Sequence, residues 1–334
     1  MSDPADRATI AARRVCDRPV VAFGAVAGYG PIFNGGVIAV DGVYHLFARG
    51  VRDGYRRNGG PGPRFVDYLS DLLVFTSEDG LDYRFQQVLA TPADEGAHSL
   101  EDPRVQRVRS RGGEQVMLTY THLPAPESGD PWRVGIHRLL YENGRFALNR
   151  TSGRVIGPAG LPDKDAVLFN LRDGRVGLIH RIHPDMQLAI FDSLEQLYDP
   201  EPAYWDTHLR ELDRHTLIRP ADGALGVGAG APPVETDAGL LLFYHERGAN
   251  GDYTLRVALL DDETGRLLAS LPEPLLRPEL EWEREGDVEN VVFVQGAVLR
   301  ADGTVYLTYG AADRCIGAAS IETAPLLRAL AAAA

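Results

Sequence analysis

Short runs of alternating apolar and polar residues recur along the chain at a nearly constant spacing. Five of them end in an aromatic, histidine or small residue, and their leucines stand 60 to 72 residues apart. The five runs are Leu46-Phe47-Ala48-Arg49, Leu118-Thr119-Tyr120-Thr121, Leu178-Ile179-His180-Arg181, Leu242-Phe243-Tyr244-His245 and Leu307-Thr308-Tyr309-Gly310. Alternation with a period of two residues indicates β-strands, and self-similarity at a fixed interval is typical of repeat architectures. The pattern therefore predicts five similar β-units.

Each run has the same surroundings. Before it comes a strand that starts with polar or turn-forming residues, at Phe33-Asn34-Gly35-Gly36, Glu101-Asp102-Pro103-Arg104, Asp163-Lys164-Asp165, Gly230-Ala231-Pro232-Pro233 and Glu289-Asn290. After it comes a third strand, at Leu72 to Thr76, Arg133 to His137, Gln187 to Phe191, Leu255 to Leu260 and Cys315 to Ser320. Such units are typical of the blades of a β-propeller. We predict an all-β, five-bladed propeller whose first strands line a central channel, with Asp102 in a ring with Asn34, Lys164, Asp165 and Asn290.

One domain accounts for nearly the whole chain. The predicted boundaries are an N-terminal arm over residues 1–30, the propeller over 31–323 and a C-terminal helical tail over 324–334. Gly54 to Arg64 is rich in Arg, Gly, Asn and Pro, which predicts a flexible loop with solvated arginines or, alternatively, a lid over the channel mouth. Leu194 to Arg214 is predicted to be an irregular connection with one helical turn.

The composition and net charge of the chain limit the classes of partner that it is expected to bind. A chain that is 44% hydrophobic and 24% charged has the composition of a globular protein. The net charge of −13 argues against nucleic acid or an anionic membrane, because such surfaces demand clustered Lys and Arg. The segment from Met1 to Arg14 lacks the apolar core of a signal peptide, and no run approaches the length of a membrane span. We expect a cytoplasmic protein.

Several chemistries have no support in the sequence. The two cysteines, Cys16 and Cys315, are expected to be buried reduced thiols, and no Cys/His spacing resembles a zinc site. The glycines from Gly226 to Gly230 lead into Pro232-Pro233 instead of a helix, which favours close backbone packing over a phosphate cradle. Serine-hydrolase, P-loop and dinucleotide-binding patterns are absent. No metal or organic cofactor is predicted.

The polar ring favours a polyhydroxylated substrate. Ordinary glycosidases need two carboxylates, one as acid and one as base or nucleophile. Here Asp102 is the most prominent acid and cations are frequent, with Arg133, Lys164, His180 and Arg181 as candidates for an anion pocket. Inorganic phosphate is an anionic nucleophile that needs no general base, so a single acid and a cationic pocket suit a phosphorylase.

Five stretches carry a resemblance to a known family. They are Glu101-Asp102-Pro103-Arg104, Lys164 to Phe169, Ile179-His180-Arg181, Gly226 to Thr236 followed by Tyr244-His245, and Tyr309 to Asp313. Together they resemble glycoside hydrolase family 130, the β-mannoside phosphorylases and related β-mannosidases, over about residues 30 to 320.

The resemblance implies a five-bladed propeller that inverts the anomeric carbon. Its sole catalytic acid maps to Asp102, and the family's phosphorylases pass the proton through a mannose hydroxyl. The phosphate site maps to Arg133, Lys164 and His180. We assign contacts with the sugar to Asn34, Arg49, Glu101, Arg104, Asp165, Tyr244, His245, Asn290 and Asp313.

The predicted function is reversible phosphorolysis of β-D-mannosides, giving α-D-mannose 1-phosphate with inorganic phosphate as co-substrate. Two alternatives stay open: an inverting β-mannosidase that uses water, and a non-catalytic glycan-binding propeller. The sequence also leaves open the linkage (β-1,4 or β-1,2), the acceptor sugar and whether the chain forms a homo-oligomer.

Overall fold

The computed structural model describes residues 10–334 and shows five antiparallel β-sheets, each forming one blade of a β-propeller. The predicted all-β, five-bladed architecture is confirmed. Blade 1 contains Tyr29–Val40, Val43–Arg52, Ser70–Ser77 and Arg84–Ala90; blade 2 contains Ser99–Ser110, Gly113–Leu123, Arg133–Glu142 and Arg145–Leu148, and Arg154–Ile156 also pairs with its third strand. Blade 3 contains Lys164–Asn170, Val176–Arg181, Met186–Phe191 and Thr216–Ile218.

The last two blades vary this plan. Blade 4 contains Gly226–Ala229, Gly239–Arg247, Tyr253–Leu260 and Leu267–Ser270, with Val234–Thr236 added on its second strand. Blade 5 contains Val292–Leu299, Thr304–Ala311 and Cys315–Glu322, and its outer strand is Arg13–Arg14 from the start of the chain. Arg14 also donates from Nε and Nη2 to the two carboxylate oxygens of buried Glu283 at 2.7 Å each, which fastens the N-terminal segment to blade 5.

Over residues 10–334 the hydrophobic core consists of five clusters, and each lies between two neighbouring blades. The second strand of blade 4 shows why its sequence is almost continuously apolar. Leu241 and Phe243 pack towards blade 5, whereas Leu242 and Tyr244 pack towards blade 3. Because successive side chains of a strand point to opposite faces, a strand between two blades buries both faces.

Helices occupy connections and the C-terminus. They are Pro92–Glu95, Leu194–Tyr198, Tyr204–Arg210, Leu212–His215, Glu281–Arg284 and Thr323–Ala331, with a 3₁₀ turn at Pro126–Ser128. The prediction of one helical turn between Leu194 and Arg214 is wrong, because three short helices form there and pack aromatic rings such as Trp205 against blade 3. In the C-terminal helix, Leu326 and Leu330 are buried in the cluster between blades 4 and 5.

Other features concern loops and termini. Inside Gly54 to Arg64, Arg56–Arg57 pairs with Phe65–Val66 to form a small hairpin beside blade 1. The glycines near Gly228 and Gly230 do pack closely, since an added Cβ would collide with Asp165 and with Val294. Both cysteines are unpaired, Cys315 buried and Cys16 half-buried. No helix among residues 10–334 is long and apolar enough to cross a membrane.

Candidate active site

The first strands of blades 1 to 3 each contain a bulge that turns a short polar side chain towards the axis. Asn34, Asp102 and Asp165 sit at these bulges with φ of 51°, 54° and 53°. Positive φ is costly for residues other than glycine and least so for Asn and Asp, whose short polar side chains bond locally. Bulges re-aim side chains and are frequent beside active sites. The same local sequence feature therefore delivers one carboxylate or amide from each of three blades.

Asp102 lies at the centre of this group and is buried. Asn34 Nδ2 donates to Asp102 Oδ1 at 2.8 Å, and Arg49 Nη1 lies 3.5 Å from the same oxygen. Arg49 Nη2 donates to Glu101 Oε1 at 2.5 Å, so one guanidinium contacts both carboxylates of the Glu-Asp pair. The structure brings Asp102 together with Asn34 of the predicted ring and with Arg49 and Glu101 of the assigned sugar contacts. Their contacts with a sugar stay a prediction.

Burial and the charges around Asp102 raise the pKa values of two neighbouring carboxyls, those of Glu101 and Asp313. Burial raises the pKa of Glu101, and the Arg49 guanidinium opposes that rise. Burial also raises the pKa of Asp313 to about 7, against the opposing charge of Arg49. The positive charge of Lys164 acts on both carboxyls in the same lowering direction. These couplings place Lys164 and Asp313 within electrostatic reach of the Glu-Asp pair.

Lys164 and Arg133 share an unusual property. Both side chains are half-buried, yet within residues 10–334 neither has a carboxylate within 4 Å. Arg133 Nη2 donates only to the carbonyl oxygens of Ile156 and Gly157, and burial lowers its pKa. Two half-buried cations with no carboxylate within 4 Å in that part of the chain are suited to holding an anionic ligand.

The structure places Arg104 beneath the site and not on its surface, with 1% of the residue exposed. Its guanidinium donates to the carbonyl oxygens of Asp102, Ala229 and Gly230 at 2.8 to 3.1 Å and to Asp165 Oδ1 at 3.0 Å. The assignment of Arg104 as a sugar contact does not agree with this geometry, because every nitrogen is already bonded to protein and buried. Arg104 instead supports the backbone of Asp102.

Asp165 is a fully buried carboxylate with three cationic or polar neighbours. Besides Arg104, Arg181 Nη1 lies 3.0 Å from its Oδ2, and His245 Nε2 lies 3.5 Å from the same oxygen. Burial alone would raise the pKa of Asp165, but Arg181 and Arg104 outweigh it and hold the pKa well below its ordinary value. Burial lowers the pKa of His245 to about 4. Asp165 is thus an ionised carboxylate that ties blades 2, 3 and 4 together.

His180 bonds Asp163 and His208 and not Glu101 or Asp102, and it has no exposed surface. Its Nδ1 bonds Asp163 Oδ2 at 3.0 Å, and its Nε2 lies 3.2 Å from Nε2 of His208 on the helix Tyr204–Arg210. Asp163 Oδ1 accepts a bond from the backbone N–H of Arg181. Direct contact between His180 and phosphate is at odds with this packing, because both ring nitrogens are occupied. His180 supports Asp163 and, through it, the strand that carries Arg181.

Two further predicted sugar contacts, Tyr244 and Asn290, form no hydrogen bond with the group around Asp102 among the described residues. Tyr244 is buried in the apolar cluster between blades 3 and 4, and its strand neighbour His245 takes the opposite face beside Asp165. Tyr244 as a sugar contact therefore disagrees with the structure. Asn290 has φ of 57° and is half-buried, but its side chain has no hydrogen bond to the group around Asp102 within the described part of the chain.

Sequence reasoning missed two residues of this region. Asp163 precedes Lys164 and is fully buried under His180 and Arg181; its position next to the Lys-Asp pair was the available signal. Tyr68 places its ring 5.4 Å from the Arg49 guanidinium, measured from the ring centroid. It lies in a connection with no regular pattern, so nothing in the sequence marked it. Residues 10–334 contain no cluster of three or more His, Cys, Asp or Glu side chains arranged to hold a metal ion.

A family model described as beta-1,4-mannooligosaccharide phosphorylase matches residues 13–331, nearly the whole chain. This chain belongs to glycoside hydrolase family 130. The resemblance drawn from the Glu-Asp-Pro-Arg and Lys-Asp stretches is thereby confirmed.

Relatives in family 130 extend over the full fold. A 1,2-beta-oligomannan phosphorylase from Thermoanaerobacter sp. (strain X514) is 30% identical over 319 residues, covering 93% of this chain and 97% of the relative. A beta-1,2-mannobiose phosphorylase from the same organism is 30% identical and covers 87% of this chain and 90% of its own length.

A solved member of the family has the same fold. The beta-1,2-mannobiose phosphorylase from Listeria innocua, in complex with beta-1,2-mannobiose, superposes with a TM-score of 0.76 at 18% identity, covering 96% of this chain and 99% of the other. This chain is therefore a family 130 propeller related to β-mannoside phosphorylases.

Proposed function

We propose that this chain catalyses the reversible phosphorolysis of β-D-mannosides with inversion, giving α-D-mannose 1-phosphate. The observation that carries the proposal is the Lys164 ammonium, which has no ion-pair partner within residues 10–334 and acts electrostatically on Glu101 and Asp313 beside Asp102. An acid next to an unpaired cation suits a reaction between a mannoside and an anionic nucleophile.

Asp102 is the proposed acid. Asn34 and Arg49 fix one of its oxygens, and Arg104 fixes its backbone carbonyl from below. In the proposed reaction an oxygen of phosphate bonds to the anomeric carbon from the face opposite the leaving group. The bond between that carbon and the glycosidic oxygen breaks, and the departing oxygen receives the proton supplied by Asp102 through a mannose hydroxyl. Phosphate enters as an anion, so no protein base is required.

Lys164 and Arg133 are the proposed phosphate contacts. Both cations lack a carboxylate partner in the part of the chain that the structure describes, so a phosphate would gain charge-assisted hydrogen bonds without first breaking an ion pair. His180 has no exposed surface, and its proposed role is to hold Asp163 and the strand of Arg181 behind this pocket.

The two Thermoanaerobacter relatives, which cover 93% and 87% of this chain, are named for β-1,2-linked mannosides, whereas the family description names β-1,4-linked oligosaccharides. We propose β-1,2-linked manno-oligosaccharides as the preferred substrates of this chain, because those relatives match it over nearly their full length.

One observation favours hydrolysis as a second candidate. Asp313 has a pKa raised to about 7, so this carboxyl changes charge near neutral pH within reach of the Asp102 group. An inverting β-mannosidase needs a carboxylate base to activate water, and such a pKa suits a general base.

A product assay separates the two. The protein is incubated with β-1,2- and β-1,4-mannobiose, with and without phosphate, and the sugars are resolved by anion-exchange chromatography. We expect mannose 1-phosphate to form only when phosphate is present, and fastest from the β-1,2 isomer. Free mannose formed at a rate independent of phosphate would replace the phosphorylase proposal with the hydrolase, and Asp313→Asn would then abolish that activity.

A further inference from the structure

The short connection between the hairpin strand Phe65–Val66 and the third strand of blade 1 contacts the Asp102 group through the Tyr68 side chain. Tyr68 follows Asp67, whose backbone has φ of 59°. The Arg49 guanidinium lies over that ring at 5.4 Å and over the ring of Phe33 at 4.9 Å, measured to the ring centroids. A cation over an aromatic face is attracted by the ring's quadrupole, most strongly when both are desolvated.

The far side of Tyr68 is fixed to another blade. Its hydroxyl donates to Asp287 Oδ2 at 3.2 Å, in the connection that leads into blade 5. Arg57 of the hairpin donates from Nη2 to the backbone oxygen of the same Asp287, also at 3.2 Å. Tyr68 is further packed by Phe65, whose ring stacks on it at 4.6 Å, and by Tyr55, whose ring meets it edge-on at 4.9 Å. The ring is held from three directions.

The Arg49 guanidinium contacts two adjacent carboxylates and a hydroxyl at the same time. Its Nη2 bonds Glu101, its Nη1 approaches Asp102, and its Nε donates to the Ser70 hydroxyl at 3.2 Å. A long side chain that must serve two adjacent carboxylates loses several rotamers when it is fixed, and that ordering costs free energy. An aromatic face already locked in place supplies a rigid surface against which the guanidinium is ordered.

We infer that Tyr68 is a positioning residue for the reaction: its ring, anchored to blade 5 through Asp287, holds Arg49 against Glu101 and Asp102. This inference rests on the proposed function for its kinetic readout. In this interpretation the contact of Tyr68 with Asp287, before blade 5, orders Arg49 and through it the proposed acid Asp102.

Kinetics of Tyr68 variants test the inference. Tyr68→Leu removes the aromatic face, and kcat/KM for the mannoside should fall about tenfold, which corresponds to about 1.4 kcal/mol. Tyr68→Phe keeps the face and loses only the hydroxyl, so it should stay within about threefold of the wild type. Phe85→Leu provides the matched control, because this ring of blade 1 is 41% exposed and packs on Phe75. It should leave kcat/KM unchanged.

A double-mutant cycle with Arg49→Lys distinguishes a specific effect through Arg49 from a general destabilisation of the fold. It compares the loss of kcat/KM caused by Tyr68→Leu in the wild-type and Arg49→Lys backgrounds. If Tyr68 acts through Arg49, Tyr68→Leu should cost less than about twofold in the Arg49→Lys background, since coupled residues are not additive. Additive losses, a Tyr68→Leu variant within twofold of the wild type, or a Tyr68→Phe variant as weak as Tyr68→Leu would each overturn the inference.

Failure of the proposed function looks different, because the wild-type protein itself would then lack the phosphorylase product. In that case the same variants are compared by calorimetric titration with mannobiose, which needs no turnover. Tyr68→Leu should weaken binding about tenfold and Tyr68→Phe should not. Equal affinities, or no binding by the wild type, would overturn the inference.

Discussion

Arg104 offers the sharpest test of how the site is held, because it is a fully buried cation that contacts three blades. Replacing it with methionine keeps an unbranched side chain of similar length and removes all its donors. The change leaves the buried Asp165 carboxylate with Arg181 at 3.0 Å and His245 at 3.5 Å as its remaining partners. It also leaves three backbone carbonyls, those of Asp102, Ala229 and Gly230, without their Arg104 bonds.

The expected loss is large on the scale of protein stability. Removing one partner of a buried ion pair costs about 3–5 kcal/mol, and each buried acceptor left without a bond costs a further ~1–3 kcal/mol unless water replaces the donor. Because Asp165 keeps Arg181, we expect the lower end of the ion-pair range, and Arg104→Met should lose at least about 3 kcal/mol of the ~5–15 kcal/mol that typically stabilises a folded protein.

Urea unfolding followed by tryptophan fluorescence measures this loss. Arg172→Met is the control, since Arg172 also forms ion pairs, with Asp262 and Glu263, but its side chain is 63% exposed; its midpoint should equal that of the wild type. Adding Asp165→Asn to Arg104→Met should restore part of the loss, because an amide is cheaper to bury unpaired than a carboxylate. A loss below about 1 kcal/mol for Arg104→Met would refute the idea that this ion pair and these carbonyl bonds hold the site.

Three further predictions concern the reaction. Asp102→Asn should lower kcat by about 10² to 10⁴-fold at an unchanged melting temperature; more than a tenth of the wild-type rate would remove Asp102 as the acid. Lys164→Ala should raise the Michaelis constant for phosphate, measured at saturating mannoside, far more than that for the mannoside, and equal changes would contradict its role in phosphate binding. Asp313 has a folded pKa of about 7, above that of the unfolded chain, so the folded state binds its proton more tightly and stability falls as pH rises to about 7. Asp313→Asn should therefore stabilise the protein at pH 8 relative to the wild type, and less so at pH 4; the same urea midpoint at pH 8 would contradict the raised pKa.

The repeated apolar runs were enough to predict the five-bladed fold, and the Glu-Asp-Pro-Arg stretch was enough to propose Asp102 as the acid, a role that stays a prediction. Both signals are local. A strand pattern depends on neighbouring residues and on the two-residue alternation of side chains, and the polar starts of successive first strands converge because the blades share one axis. The same reasoning placed Asn34 and Asp102 in one ring, and the structure brings these two side chains into hydrogen-bond contact.

Only the tertiary structure decided which face each residue takes. In a propeller both faces of an inner strand are buried, so apolar or polar character does not distinguish the axis from the space between blades. Tyr244 and His245 are adjacent in sequence, yet Tyr244 packs in the cluster between blades 3 and 4, whereas the centroid of the His245 ring lies 4.0 Å from that of Phe293 in blade 5. His180 and Arg181 divide in the same way.

Bulges add a second reason. An extra residue in a first strand reverses the alternation of side chains beyond it. The bulge between Glu101 and Arg104 therefore changes the face that Arg104 takes, and Arg104 lies under the site, where it donates to the backbone oxygen of Asp102. The contacts that complete the site also join residues far apart in the chain, as when Tyr68 anchors to Asp287 and stacks on Arg49. A linear pattern records neighbours along the chain, whereas these contacts exist only once the ring of blades has closed.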